Sequence, residues 1–423
     1  MHHMIVGAGP AGVVAAETLR RANPKARITM IMDENEPPYS RMAIPYYLAN
    51  EIKEAGTHLR KDKGYWEDVA RVEYRRKTRV TKINSKAHEV SLSTGRKLKY
   101  DKLLLATGSL PIKPPIPGLE AKQGIYHCWT LEDARNIAKR AKPGSRVVLM
   151  GAGFIGCIIL EALAKRGLDL SVVEMENRMV PRMMNAAGGD LIKRWCETHG
   201  LKVLTSTKVT AVEQRKGKGS PFLVSTSAGK KPLPADLIVV ATGVKPATDF
   251  LKGSGVKSAF GIVVNDQFQT SARDIYAAGD CAQGLDLSDG GWNVQAIQPT
   301  AVEHGRIAGL NMAGHAYKHK GSLNMNVLAT IGLISSSYGL WQGVKGGEHA
   351  EELDKGGYRY MRLEFDGERL VGALALGFTQ HVGVLRGLIQ TEVDLGEWKG
   401  KLMHDPMRVM EAYLARVHLM SAK

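Results

Sequence analysis

The chain has 423 residues, 44% of them hydrophobic, and is strongly basic, with 58 Lys and Arg against 42 Asp and Glu and a formal net charge of +16. That length supports two or three compact domains, and no apolar run reaches the roughly 18 residues that a membrane-spanning helix needs. Cys128, Cys157, Cys196 and Cys281 lie far apart with no C-x-x-C spacing, which argues against a zinc site or a disulfide framework and makes a reducing cytoplasm the expected compartment. The start of the chain runs from Met1-His2-His3 straight into an apolar strand, without the pattern of a secretory signal. Basic residues occur in short clusters such as Arg75-Arg76-Lys77 and Lys230-Lys231, and no nucleic-acid-binding motif accompanies them. The charge reads either as a field that steers an acidic partner, an anionic membrane surface or a nucleic acid, or as a solvated surface.

An apolar strand over residues 4–6 runs into Gly7-Ala8-Gly9-Pro10-Ala11-Gly12, then into a helix with Val14, Ala15, Thr18 and Leu19 on one side. A second strand, residues 28–32, ends at Asp33-Glu34, completing the β-α-β unit that begins a doubly wound parallel sheet. A further strand exits at Ala106-Thr107-Gly108, and Pro111, Pro114, Pro115 and Pro117 then make a stiff crossing. The pattern returns where residues 146–150 enter Gly151-Ala152-Gly153-Phe154-Ile155-Gly156 and a strand over 170–173 ends at Glu174; its exit is Ala241-Thr242-Gly243. The expected architecture is α/β. Two Rossmann-like dinucleotide-binding domains are arranged with residues 119–242 inserted in a domain made of 1–118 and 243–320. A small C-terminal α+β domain, 321–423, follows, with antiparallel strands such as 358–363.

The glycines have separate steric duties. The first permits the tight strand-to-helix turn, the second lets backbone N–H groups approach a pyrophosphate, and the third packs the helix against the sheet. The pyrophosphate sits at the positive end of the helix dipole. One such motif is weak; two, each between a strand and a helix and each followed by an acid, are specific. Asp33 comes 24 positions after Gly9, and Glu174 comes 21 after Gly153, near the spacing of a ribose-binding carboxylate. A carboxylate at Glu174 bonds a 2′-hydroxyl and repels a 2′-phosphate, favouring NADH over NADPH, although Arg178, four positions on, works against that discrimination.

Taken together, these residues resemble the pyridine nucleotide-disulfide oxidoreductase superfamily of two-dinucleotide flavoproteins. The resemblance implies FAD on the first glycine motif and NAD(P)H on the second. It places cofactor contacts at Gly7, Gly9, Pro10, Ala11, Gly12, Asp33, Glu34, Arg41, Val80, Ala106, Thr107, Gly108, Gly151, Gly153, Phe154, Ile155, Gly156, Glu174, Gly243, Gly279, Asp280 and Thr300. Residues 275–280 look like the second FAD motif, whose aspartate, here Asp280, binds the ribityl chain; the alternative is a buried structural aspartate. Residues 298–305 are similar to the helix whose N-terminus faces the flavin's pyrimidine edge. Pro38-Tyr39-Ser40-Arg41 resembles the rubredoxin and ferredoxin reductases and the flavin module of NADH-dependent nitrite reductase, and residues 369–377 and 385–389 resemble the small third domain of that group.

Departures from the family pattern narrow the chemistry. Met42 stands where coenzyme A-disulfide reductases and NADH oxidases carry a redox cysteine, and a thioether cannot form a thiolate. Ile158 replaces a glutamate near the nicotinamide, and Tyr46 falls where ferredoxin reductases place its lysine partner. Tyr46 is thus either a catalytic hydrogen-bonding group or a packing residue. Phe154 either covers the flavin or packs a helix. Cys157 and Cys281 read as small core residues, and Met179, Met183 and Met184 as helix packing. The function implied is an FAD-dependent NADH oxidoreductase that passes a hydride from NADH to FAD. Its electrons would go on to an acidic ferredoxin- or rubredoxin-like carrier or to a partner subunit, and a homodimer is an open alternative to a monomer. The alternatives are an NADH oxidase or quinone reductase with no protein acceptor, and a flavin-binding scaffold or redox sensor. Neither a nucleic acid nor a membrane span is expected.

Overall fold

The computed structural model describes every residue except 121–122, 216–218, 220, 230, 381 and 422–423, and only the backbone of 417–421. Lys230 of the Lys230-Lys231 cluster therefore lies outside the described residues. The helices used below are α1 (Pro10–Ala22), α2 (Ile44–Leu48), α3 (Leu131–Arg140), α4 (Phe154–Ala164), α5 (Ala186–Thr198) and α6 (Gln298–Met312). The chain divides into two compact units, Met1–Leu110 with Val244–Ser322, and Pro111–Gly243 with Leu323–Lys423.

In the first unit, strands β1 (His2–Val6), β2 (Arg27–Ile31) and β3 (Glu73–Arg75) lie side by side. They are followed in the chain by β4 (Val80–Asn84), β5 (Glu89–Leu92), β6 (Lys97–Lys99) and β7 (Lys102–Leu105). A five-stranded parallel sheet runs in the order Ile275–Ala277, β7, β1, β2, β3, with Val6 opposite both Ile31 and Leu105. Met4, Ile5, Leu103, Leu104 and Leu105 are fully buried, as central strands of a parallel sheet covered on both faces must be. Helices α1 and α6 cross at almost no separation, because a Cβ on Gly305 would lie 2.2 Å from the Ala11 carbonyl oxygen. Strands β4, β5 and β6 form a separate antiparallel meander whose inner side buries Ile83 and Val90.

The second unit repeats the parallel theme in the order Lys202–Leu204, Asp169–Val173, Arg146–Met150, Leu237–Val240, Ile125–Tyr126. Its C-terminal part is a five-stranded antiparallel sheet, ordered Met325–Thr330, Leu333–Gly339, Arg369–Leu376, Arg359–Asp366, Glu348–Asp354, with Leu385 and Leu388 of the helix Val382–Thr391 in its core. Two groupings differ from the sequence expectation, and each has a local cause. Residues 111–118 group with the second unit, where Val212 donates its N–H to the Pro117 oxygen and Gly118 (φ 78°) leaves no room for a Cβ against the Val212 carbonyl. The C-terminal sheet belongs to the same unit. Trp195 Nε1 donates to the Ile331 oxygen at 3.0 Å and Asn185 Nδ2 to the Tyr360 hydroxyl at 2.7 Å.

The first strand begins at His2, two residues before the apolar run, because both histidines pair in register with β2. His3 is fully buried with neither ring nitrogen bonded, and burial lowers its pKa to about 4. His304, inside α6 and packed against the Phe268 ring at 4.3 Å, is in the same state, its pKa lowered by burial to about 3. A folded pKa below the unfolded value of 6.5 means that the unfolded chain takes up protons that the folded chain refuses. Stability is therefore retained at neutral pH and lost as pH falls from 6.5 through about 3. A His304→Gln variant, unfolded by urea at a series of pH values between 7 and 4, is expected to flatten the pH dependence of stability by up to about 1.4 kcal/mol per pH unit. An unchanged slope would contradict the burial argument.

Candidate functional site

Each parallel sheet ends in a glycine loop, and the two loops can be compared residue by residue. In the first unit Gly7 donates its N–H to the Ile31 oxygen; in the second Gly151 donates to the Val173 oxygen, both at 2.8 Å. Gly7 (φ 111°) would place a Cβ 2.1 Å from the Ala106 oxygen, and Gly12 one 2.0 Å from the Gly7 oxygen. Gly151 and Gly156 meet the Ala241 and Gly151 oxygens at 2.5 and 2.2 Å in the same way. The middle glycines behave differently: a Cβ on Gly9 or Gly153 would meet nothing within 4 Å. Their missing side chains therefore serve no packing of the protein itself and keep clear the space above a helix end. Gly9 and Gly153 are the N-caps of α1 and α4, with no side-chain cap and no acid in the first turn, so the first N–H groups are left for an outside acceptor. Pro10 costs no donor at the first helical position, and Phe154 and Ile155, opening α4, are part-buried. An anionic pyrophosphate fits both ends.

The same register shows where the acids fall. Glu174 immediately follows Val173 and is buried; its carboxylate accepts the N–H of Ala152 at 2.5 Å and that of Glu176 at 2.8 Å, which anchors the glycine loop. Each carboxylate oxygen has capacity left for a further donor. Arg178 is turned into the following loop, donating to the Met184 oxygen at 2.9 Å, the Pro181 oxygen at 3.2 Å and Asn177 Oδ1 at 2.8 Å. In the first unit the place of Glu174 is taken by Met32, and the acids come one and two residues later. Asp33 is bonded by Arg79 Nε at 2.9 Å. Glu34 accepts the Tyr39 hydroxyl and an Arg41 nitrogen, each at 2.6 Å. Arg41 also lies over the Tyr39 ring, 5.5 Å from its centroid.

Around this loop the remaining expected residues separate into surface and core. Ser109 Oγ donates to Asp280 at 3.2 Å, and burial raises the Asp280 pKa. Gly279 (φ 77°) holds the turn against Ala11, and Gly108 (φ 66°) and Gly243 (φ 106°) turn the two exits. Val80 and Ala106 are core residues, Thr107 spends its hydroxyl on the Ala247 oxygen at 2.9 Å, and Thr300 is buried in the first turn of α6. Tyr46, in α2, is 55% exposed and Met42 is 43% exposed, so Tyr46 is not a core-packing residue. The four cysteines are unpaired and buried, with the thiols of all four pushed up by burial. Met179, Met183 and Met184 are buried too. Two bonds had no sequence motif to announce them: Ser109 to Asp280, and Ser40 Oγ to Gln298 Oε1 at 2.5 Å, which ties residue 40 to the start of α6.

The profile of the pyridine nucleotide-disulphide oxidoreductase family matches residues 1–305. The chain belongs to that family. It is 31% identical, over 96% of both chains, to the NADH-dependent phenylglyoxylate dehydrogenase subunit epsilon of Aromatoleum evansii. It is also 31% identical to the NADH oxidase of Methanocaldococcus jannaschii, over 77% of this chain and 73% of that one. The structure of an NAD-dependent persulfide reductase from A. fulgidus superposes with a TM-score of 0.86 at 26% identity, covering 94% of this chain and 78% of the other.

The open middle glycines give a direct test. Gly9→Ala and Gly153→Ala are expected to leave thermal stability nearly unchanged while a new methyl in the ligand space weakens dinucleotide binding by about 10- to 100-fold, following the cost of about 1–3 kcal/mol for an overpacked contact. Dinucleotide retained after gel filtration, set beside the melting temperature, distinguishes this from a general loss of fold.

Proposed function

We propose that this protein is an FAD-dependent NADH oxidoreductase, with FAD held by the first unit and NADH by the second, and with electrons passed on to a partner subunit or small redox protein. The observation that carries the reading is the pair of matched cradles, each with an uncapped helix end and a middle glycine that faces open space. When bound, FAD accepts a hydride from NADH and releases the electrons onward. The chain's own residues have the tasks of binding, orienting and tuning. Asp280, steadied by Ser109, would take a hydroxyl of the ribityl chain. Glu34, preset by Tyr39 and Arg41, is the acid offered to the adenosine half of FAD. The N-terminus of α6 has no side-chain cap, and its free N–H groups favour negative charge on a reduced ring.

On the second unit, Glu174 selects a 2′-hydroxyl, and Arg178 does not oppose it because its guanidinium is committed to the 181–184 loop. Thiol relay is not the route of the electrons: Met42 occupies the place of a redox cysteine, and the four cysteines are buried with raised thiol pKa values. A protein acceptor is supported by likeness along nearly the whole chain to a relative named as a subunit of an NADH-dependent dehydrogenase. The net charge of +16 suits an acidic acceptor. A cytoplasmic setting suits four unpaired cysteines, and no helix among the described residues is long and apolar enough to cross a membrane.

Anaerobic titration of the purified protein with NADH is expected to bleach the bound flavin fully, and NADPH to do so at least about 10-fold more slowly. Flavin that stayed oxidised with both would end the reductase reading. Replacing Glu174 by Ala is expected to raise the KM for NADH by about 10- to 100-fold, in line with about 1.5–3 kcal/mol for a hydrogen bond to a charged group, with a smaller change for NADPH. Steady-state kinetics with both nucleotides measures the ratio.

A further inference from the structure

Half of the chain's net charge is concentrated in a tenth of its length. Residues 60–102 contain 14 Lys and Arg against 6 Asp and Glu, a net of +8 out of +16. Five of those 14 cations, Lys82, Lys86, Arg96, Lys97 and Lys99, belong to the β4–β5–β6 meander, with Glu89 as its one acid. In the β4–β5–β6 meander, Lys82 lies opposite Ser91, which lies opposite Lys97, while Asn84 lies opposite Glu89, which lies opposite Lys99. Directly opposed residues share a face, and so do residues two apart along a strand, so Lys82, Lys97 and Lys99 all project from the side opposite to Ile83 and Val90. Lys86 and Arg96, in the two turns, are exposed at its ends. The lone acid among these opposed positions, Glu89, pairs with Lys97 at 3.0 Å. Lys82, Lys86, Arg96 and Lys99 make no ion pair among the described residues. Lysines on edge strands discourage sheet-to-sheet pairing, but a turn has no edge to guard, and like charges gathered on one small sheet repel one another.

We infer that this outer face of the meander is a docking surface for an acidic protein partner. A nucleic acid fits it less well. Single strands need aromatic rings for base stacking, and the aromatic residue of the meander region, Tyr100, is buried; duplex DNA needs a helix or two-stranded ribbon that enters a groove, and this face belongs to a three-stranded sheet. An anionic membrane would be met without an exposed large apolar side chain on strands β4 to β6 to insert. The identity of the partner as an electron acceptor rests on the function proposed above; the docking itself does not.

The test compares two triple charge reversals of the full flavin-loaded chain. One changes the face, Lys82→Glu, Lys97→Glu and Lys99→Glu. The other changes three exposed lysines of the second unit by the same net charge, Lys139→Glu, Lys142→Glu and Lys202→Glu. Binding of an acidic [2Fe–2S] ferredoxin is measured by fluorescence anisotropy at low and high salt, alongside NADH-driven reduction of a neutral quinone. The face variant is expected to bind ferredoxin about 30-fold more weakly, with most of its salt dependence gone, while the control loses less than about 3-fold and quinone reduction is unchanged in both. Equal loss in both variants, no loss in the face variant, or no salt-dependent binding by the parent would overturn the proposal. So would tighter binding of single-stranded oligothymidine or phosphatidylserine vesicles than of ferredoxin. Failure of NADH to reduce the flavin would instead sink the function proposed above and leave the binding titration standing.

Discussion

Everything in the site depends on how closely backbone can approach backbone at the end of a parallel sheet. At Gly7 and Gly12, and again at Gly151 and Gly156, carbonyl oxygens occupy the positions where side chains would begin. The first turn of each helix is therefore drawn down onto the strand ends, with its N–H groups aimed over the sheet and no side chain of its own to satisfy them. A helix held further away would still be a helix, but its positive end would point into solvent, where water screens it. Steric absence thus creates the electrostatic site.

The two cradles share this device and differ in where their acids stand. In the second unit a buried glutamate is wired into the glycine loop by two backbone N–H groups. In the first unit a methionine fills that register, and the acids stand further out in ion pairs with Arg79 and Arg41.

Much of this is readable in the sequence because glycine's steric role is local. A strand, a G-x-G-x-x-G turn and a following helix imply one another within about 30 residues, so both cradles can be placed from spacing, and alternation over 358–363 marks the antiparallel strand Arg359–Asp366. What spacing cannot show is register and side-chain commitment. The 24-residue count to Asp33 hides the fact that Met32, and not an acid, occupies the place equivalent to Glu174, because the connections preceding the two second strands differ in length. The direction taken by Arg178 depends on carbonyls in a loop that has no periodicity. Likewise a His-His pair at the chain start carries no apolar signal, and its place in β1 comes from pairing with residues 27 and 28. Pairing with a neighbouring strand decided the first and last of these points and the carbonyls of an irregular loop the second, and neither leaves a periodic trace in the sequence.

The crossing of α1 and α6 has a further consequence. On the function proposed above, the N-terminus of α1 would seat a pyrophosphate and that of α6 a ring edge, and Gly305 resting on Ala11 fixes the two helices to each other. The pair therefore acts as a calliper of set opening. On that same function, the set opening would match the ring-to-phosphate span that FAD and FMN share, so the helix pair would fix the flavin half alone and leave the choice of FAD over FMN to the adenosine side, where Glu34 is held by Tyr39 and Arg41.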